Sequence, residues 1–277
     1  MNHVSSDLTF FVWSDTHLGY EQGFVNTDIR SDAANQMNAL PGWPYPETIG
    51  GFVEKPEFIL HCGDIVDGEK KPAGDIKFAY FRRLTELLKF PQYEVLGNQE
   101  MTGNNPQFME YFLKKYGARS YNFSSQNISF IVLAGEYDEN EQEYIPPEES
   151  AFLEKALNKA GTKTPIVLFQ HSPLDSIRNK EDVLTILKKH NVILSMAGHK
   201  HRPAVFEIEG IRCVTAGHCR NHPADPVYGR NFYVVHISEE TIKAVPWRWD
   251  IRDWERGQGW SRPDDTAKQL TLNAKWR

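Results

Sequence analysis

The sequence predicts an α/β fold in one domain, and three observations carry that prediction. Short apolar runs alternate with stretches of helical periodicity, and each apolar run stops on a polar turn. No Gly/Ser-rich linker or internal repeat divides the 277 residues. Apolar residues make up 40% and aromatics 12%, enough for a substantial core and unlike a disordered chain.

The run LTFFVW (8–13) reads as a buried first strand that leads straight into Ser14 and Asp15. The N-terminus lacks a basic n-region, so this run is read as a strand and not a signal peptide, and a cytoplasmic location is expected. No apolar run reaches the roughly 18 residues of a membrane span. Residues 19–56 form a long first connection holding a helical stretch, IRSDAANQMNAL, and then PGWPYPETIGG. Such a connection is either a functional loop or a packed surface excursion. EFILHCGD, YEVLGN, PIVLFQHS and VILSMAGH are further short buried runs with polar stops. Between them FAYFRRLTELLKF and PEESAFLEKALNKAG carry apolar residues at helical spacing, the second opening with Pro and Glu and closing on Gly. SYNFSSQNISFIVLAG reads as a hairpin turning at 124–127.

From Val205 strand follows strand: AVFEIEG, IRCVTAG, NFYVVHI, TIKAVPWRW. The C-terminal arm, 244–277, is rich in Trp and Arg; counted from Lys243 the tail holds five of the seven Trp and eight Lys/Arg against five Asp/Glu. It is read as a terminal strand and arm packed on the body, with Arg over Trp faces, in preference to a nucleic-acid stacking surface.

A net charge of −6 argues against long nucleic acids or acidic membranes as partners. Cys62, Cys213 and Cys219 are an odd number without zinc-finger or redox spacing, so no disulfide framework is expected. Cys62 is read as buried core.

The polar stops form a series. After the first strand come Asp15 and His17, two apart on extended chain and so facing one way. After the next come Gly63-Asp64, then Gly97-Asn98, then His171, and last Gly198-His199 with His201 two residues on. Carboxyl ends of strands in α/β sheets are where sites assemble. Seven oxygen or nitrogen donors thus fall at five successive strand ends. Any one piece is an ordinary cap or turn residue; the ordered set is not.

The series Asp15-x-His17, Gly63-Asp64, Gly97-Asn98, His171, Gly198-His199-x-His201 resembles the calcineurin-like metallophosphoesterase family, over residues 8 to about 216. The resemblance implies a four-layer α/β/β/α sandwich of two mixed β-sheets flanked by helices, with two divalent ions at the strand ends. It implies that Asp15, His17, Asp64 and His201 hold one ion and Asp64, Asn98, His171 and His199 the other, Asp64 bridging. Two such ions can clamp attacking and leaving oxygens of an in-line phosphoryl displacement, with a metal-bridging hydroxide as nucleophile. Imidazole, carboxylate and amide donors without thiolate suit Mn, Fe, Co or Zn.

One position departs from the pattern. The residue after the metal-binding Asn is usually a His that protonates the leaving oxygen, steadied by an Asp three residues after the bridging carboxylate. The Asp is present as Asp67; the His is replaced by Gln99. A carboxamide can donate a hydrogen bond but is no acid at neutral pH. Gln99 is therefore an engineered change, or a natural one with another acid or a good leaving group, or the mark of a binding-only relative. His222 and His218 are candidate substitute acids, and a loop or supporting role is open to each. With the usual geometry, Asp67 accepts from the Gln99 amide. Serine/threonine phosphatases of the superfamily carry Arg directly after GD-x-x-D, where Gly68 stands here, so a small phosphomonoester or phosphodiester is expected as substrate. Trp43, Tyr45, Arg220, Asn221 and His222 are candidate substrate contacts. The rival to a phosphoesterase is a metal-binding pseudoenzyme that holds a phosphorylated ligand without turnover.

Overall fold

Two mixed β-sheets lie face to face, and helices cover both outer faces, which gives the four layers expected. The computed structural model describes residues 7–20, 25–68, 74–102, 105–140, 142–225, 227–255 and 270–276. In the first sheet the strands lie in the order β14 (Asp253–Trp254), β13 (Thr241–Arg248), β12 (Asn231–Ile237), β1 (Leu8–Trp13), β2 (Phe58–His61) and β3 (Gln92–Glu94). There β15 (Leu272–Lys275) also pairs with β13. The second sheet runs β10 (Ala204–Ile208), β11 (Ile211–Thr215), β9 (Val192–Ala197), β8 (Ile166–Phe169), β5 (Ile128–Val132), β4 (Tyr121–Ser125). A separate ribbon joins β6 (Glu136–Tyr137) to β7 (Glu143–Tyr144). The helices are α1 (Val25–Ala39), α2 (Gly74–Leu87), α3 (Asn98–Thr102), α4 (Pro106–Tyr116), α5 (Pro147–Ala160) and α6 (Lys180–Leu187).

Strand β1 shows why the first apolar run is unbroken. Leu8, Phe10 and Val12 point into the core between the sheets, with Phe130, Val167 and Tyr233. Phe11 and Trp13 point the other way, among Ala33, Met37, Phe81 and Phe108 of the α1, α2 and α4 layer. A strand covered on both faces has no polar side, so its period of two is hidden in the sequence. On the far side Leu153 and Leu157 of α5 and Val183 and Leu187 of α6 cover β5, β8 and β9.

The parallel pairings β1–β2 and β2–β3 in one sheet, and β5–β8, β8–β9 and β9–β11 in the other, set the strand ends that carry polar stops on common edges. The hairpin falls where expected: Gln126 and Asn127 form the two-residue turn between Ser125 and Ile128, both left-handed at φ 47° and 63°.

Several boundaries differ from the sequence reading. Helix α2 starts at Gly74, ahead of FAYF, and α4 and α6 were not anticipated. Asn98 does not close a strand but opens the short helix α3, after a buried Val95-Leu96. The arm packs as expected on the body: Trp247, Trp249 and Trp254 are buried and Arg230 lies over the Trp249 ring at 5.8 Å. Its partner is the first connection, since Trp247 Nε1 donates to Gln36 Oε1 at 2.7 Å and Trp254 Nε1 to the Pro44 carbonyl at 2.9 Å. Residues 21–24 of that connection and 256–269 of the arm lie outside the described residues. All three cysteines are free and buried. Among the described residues no helix is long and apolar enough to cross a membrane.

Candidate metal centre

All seven sequence-predicted donors come together in two adjoining groups. Asp15, His17 and His201 form the first; Asp64, His171 and His199 form the second. In the first group His201 Nε2 is 3.1 Å from Asp15 Oδ1 and 3.2 Å from His17 Nε2. In the second, His171 Nε2 is 3.4 Å from Asp64 Oδ1, 3.1 Å from Asn98 Oδ1 and 3.2 Å from His199 Nδ1. The other Asp64 oxygen is 3.6 Å from His17 Nε2, so Asp64 has one oxygen toward each group. In both groups imidazole nitrogens face each other with at most one proton between them, an arrangement that suits a shared cation.

The chain is forced into this shape. Asp15, His17, Asp64, His199 and His201 all adopt left-handed backbone, at φ 53°, 40°, 52°, 67° and 53°. Residues with a Cβ avoid that region unless the surroundings over-determine it, and such strain gathers at functional sites. Here the surroundings are visible. The Asp15 and His17 amides donate to the Gly63 and Asp64 carbonyls at 3.0 and 2.9 Å, zipping the β1 and β2 loops together. The buried Arg30 of α1 holds the same loop by donating to the Thr16 and His17 carbonyls. Gly97 is required by close approach, because a Cβ there would stand 2.2 Å from Asp64 Oδ1.

Two of the four imidazoles are tied at their outer nitrogens as well. His171 Nδ1 donates to the Cys62 carbonyl at 2.5 Å, which fixes Nε2 toward the centre. His201 Nδ1 meets Asp225 Oδ1 at 2.9 Å, and Asp225 is clasped in turn by Arg220. Although burial opposes it, His201 and Arg220 hold the Asp225 carboxyl well below the usual range.

Charge within the groups is balanced by proton sharing. Burial works against a charged His171, but the Asp64 carboxylate overcomes it and holds the imidazole at about 10. Asp64, buried likewise, is held at about 2 by His171 and His17. Asp15 raises His201 to about 9 against the same burial, while burial and then the His171 charge lower His199 to about 4. A cation entering among these donors takes over the protons' role, so metal uptake releases protons.

Two residues that support the site were missed in the sequence. Asp225 lies in a loop with no spacing to mark it. Glu100 resembles any acid in a helix's first turn, yet its buried carboxylate accepts from the Asp64 and Gly97 amides at 3.0 and 2.8 Å and from Val66 at 2.9 Å. Burial and then the Asp64 charge push Glu100 up to about 8, against the pull of those amides. Glu100→Gln should cost about 1–3 kcal/mol, because a carboxamide turns its N–H₂ toward one of these N–H donors. Urea denaturation checks this; an unchanged midpoint with normal metal uptake would rule out Glu100 as the brace of these loops.

The acid position and its proposed substitutes are placed as follows. Gln99 follows Asn98 in the first turn of α3: its amide donates to Asp64 Oδ1 at 2.9 Å and its Oε1 accepts from the Gly68 amide at 2.7 Å. The expected contact with Asp67 is thus replaced by one with the next residue, and the side-chain N–H₂ is what remains to donate. His222 stacks edge-on against Tyr20, with ring centres 5.0 Å apart, and its Nδ1 accepts from the Ala224 amide at 3.1 Å. His218 is buried, its Nδ1 3.1 Å from the Arg220 carbonyl. Of the candidate substrate contacts, Arg220 reaches the centre, its Nη2 3.2 Å from His201 Nδ1. Asn221 accepts instead from Arg230 at 2.8 Å. Trp43 and Tyr45 pack against the arm: the Trp43 ring meets Trp247 edge-on at 5.5 Å and the Tyr45 ring meets Trp254 at a tilt at 5.3 Å, while Trp43 stays 49% exposed.

Residues 8–203 match the model of the calcineurin-like phosphoesterase family, and the chain belongs to that family. It is 27% identical over 224 residues to a serine/threonine-protein phosphatase, CPPED1, of Mus musculus, covering 76% of this chain and 68% of that one. It is 25% identical over 167 residues to a probable glycerophosphodiester phosphodiesterase, GpdQ, of Arcobacter nitrofigilis, covering 56% of this chain and 60% of that one. The fold also matches the purple acid phosphatase PPD1 of yellow lupin at a TM-score of 0.63 and 12% identity, over 98% of this chain and 54% of that one. Relatives of the chain are thus named as phosphatases and phosphodiesterases, the family uses divalent metals, and two side-chain groups able to hold them are present.

Proposed function

We propose that the protein is a dinuclear metal-dependent hydrolase of a small phosphomonoester or phosphodiester. One observation carries this reading: the two donor groups share Asp64, with one oxygen 3.4 Å from His171 and the other 3.6 Å from His17. Asp15, His17 and His201 with Asp64 would hold one ion, and Asp64, Asn98, His171 and His199 the other. The donor set of imidazoles, carboxylates and one amide suits Mn, Fe, Co or Zn. When bound, the ions supply positive charge for an in-line phosphoryl displacement and acidify the attacking water.

The chain's own groups do the rest. The buried carboxylates of Asp15 and Asp64 and the four imidazoles, two of them tethered at the outer nitrogen, fix where the ions, and through them a phosphoryl oxygen, would sit. The Gln99 N–H₂ is left to donate to that oxygen, and Arg220 stands beside His201 as a further cation. No proton can come from Gln99, so the leaving group must depart as an anion or take its proton elsewhere.

The name of the mouse relative runs against the expectation of a small substrate. Gly68 supports that expectation, because it stands where serine/threonine phosphatases carry Arg, and a side chain there would have to displace the Gln99 carboxamide, whose Oε1 is 2.6 Å from the place of a Cβ. The replacement at Gln99 also gives weight to the second reading, a pseudoenzyme that binds a phosphorylated ligand. Metal analysis and hydrolysis of aryl phosphate mono- and diesters with added Mn²⁺ separate the two. Turnover that depends on metal is expected; none on any ester, even in Gln99→His, would leave the binding-only reading.

A further inference from the structure

The ligand stretch His199-Lys200-His201-Arg202 alternates imidazole with cation, and the two cations have no role in the centre described so far. Among the described residues no carboxylate pairs with Lys200 or Arg202, and neither side chain has a hydrogen bond.

Two cavities meet at this lysine. One of about 510 Å³ is lined by His199 and Lys200, with Arg178 and Lys180 on its wall. The other, of about 320 Å³, is lined by Lys200 and Arg202 with Phe206 and Tyr228. Asp175 borders both, and the buried Glu143 borders the first. Arg178 is partly spoken for by Asp138 at 3.2 Å, and the Glu143 carboxylate is taken up by the Ser172 amide at 2.8 Å. Lys180 donates to the Asp175 carbonyl at 3.4 Å, so the cations of the groove with neither a carboxylate nor a hydrogen-bond partner among the described residues are Lys200 and Arg202, within a chain whose net charge is −6. An unpaired cation pair beside a site for a phosphoryl group is an anion subsite, and the cavity sizes are those of small-molecule pockets.

We infer that Lys200 and Arg202 bind a second anionic group of the substrate, so that the preferred substrate is a small phosphoester bearing a further phosphate or carboxylate. This rests on the phosphoesterase reading of the two donor groups. With the ester at the donor groups, the second anion lies along the groove at Lys200, and Arg202 closes on it from the neighbouring cavity. Phe206 and Tyr228 offer apolar surface to the part of the substrate between.

The test is calorimetric and needs no turnover. Metal-loaded protein is titrated with propylphosphonate and with a propylene-bridged bisphosphonate. The bisphosphonate should bind about tenfold more tightly, and Lys200→Ala and Arg202→Ala should each cut that ratio by about three- to fivefold, as partly exposed ion pairs do. Lys200→Arg should restore most of it, and raising the salt should shrink it. Metal content measured in every variant separates loss of the subsite from loss of the ions. Equal binding of the two phosphonates, or a preference untouched by both alanine variants, would overturn the subsite and leave the metal centre standing. Binding of neither would overturn the phosphoesterase reading and the subsite together. Tighter binding of an acidic phosphopeptide would overturn the small-substrate assignment.

Discussion

Asp64→Asn is expected to lower the affinity of both metal-binding groups by at least about a hundredfold, beyond the 10–100-fold typical of losing an outer hydrogen-bond partner. The change keeps shape and removes charge. Asparagine tolerates the left-handed backbone of this position, φ 52°, better than most residues. Its side-chain oxygen can still accept the Gln99 amide that Asp64 Oδ1 now accepts at 2.9 Å. What disappears is the one anion lying between His17 and His171, so two cations would be left with Asp15 as the one anionic donor of the set to offset their repulsion. His171 would also lose the charge that holds it at about 10 and would fall under the lowering effect of burial. His17→Ala is the contrast: it removes one donor of the first group and leaves His171, His199 and Asn98 in place. Metal content after dialysis, with titration of each variant, reads both. Near-full double occupancy in Asp64→Asn would show that this carboxylate bridges nothing.

The difference between these two variants was legible in the sequence because the donors sit at strand ends. Strand ends are marked by the abrupt stop of a buried run, and Asp15, Asp64, Asn98, His171 and His199 each follow such a stop. The four-layer order came from the resemblance that those stops carry, whereas alternation of short apolar runs alone yields only an α/β class. The pairing of β12 with β1 is not readable locally, because more than 200 residues separate Leu8 from Ile237. Helix α4 was hidden by an apolar face of aromatics, Phe108 and Phe112, that reads equally as strand. Backbone acceptors such as Glu100 and side-chain tethers such as Asp225 have no sequence signature, since their partners are amides and a distant imidazole. Trp43 and Tyr45 show a related limit: aromatics in a long connection fit a substrate lip as well as a Trp cluster, and their contacts with Trp247 and Trp254 appear only once the arm is placed.

Gln99→His is expected to raise the rate on alkyl phosphoesters by about 10²–10⁴-fold, the usual worth of a positioned acid, and to change aryl esters of acidic phenols little. Gln99 stands next to Asn98 at the start of α3, and its backbone amide is locked to Asp64 Oδ1, so a side chain at this position starts beside the shared carboxylate. The present carboxamide spends its oxygen on the Gly68 amide at 2.7 Å and has only N–H to offer the substrate. An N–H of an amide steadies a phosphoryl oxygen but releases no proton at neutral pH. An imidazole there would lie against the loop that carries Asp67 and Gly68, which the present side chain already touches at Gly68, and the Asp67 carboxylate can favour the protonated ring. Nitrophenolate leaves unaided, whereas an alkoxide needs its proton as the bond breaks, so the deficit grows with the leaving group's pKa. Plots of kcat/KM against that pKa, at equal metal occupancy, should be steep for the protein with Gln99 and shallow for Gln99→His. Parallel slopes, or no gain on alkyl esters, would mean that position 99 is not where the proton is given. His222 would then be the residue to replace next: it stands on the Arg220–Asp225 side of the centre, against Tyr20, and among the described residues its ring has one hydrogen bond, from the Ala224 amide at 3.1 Å.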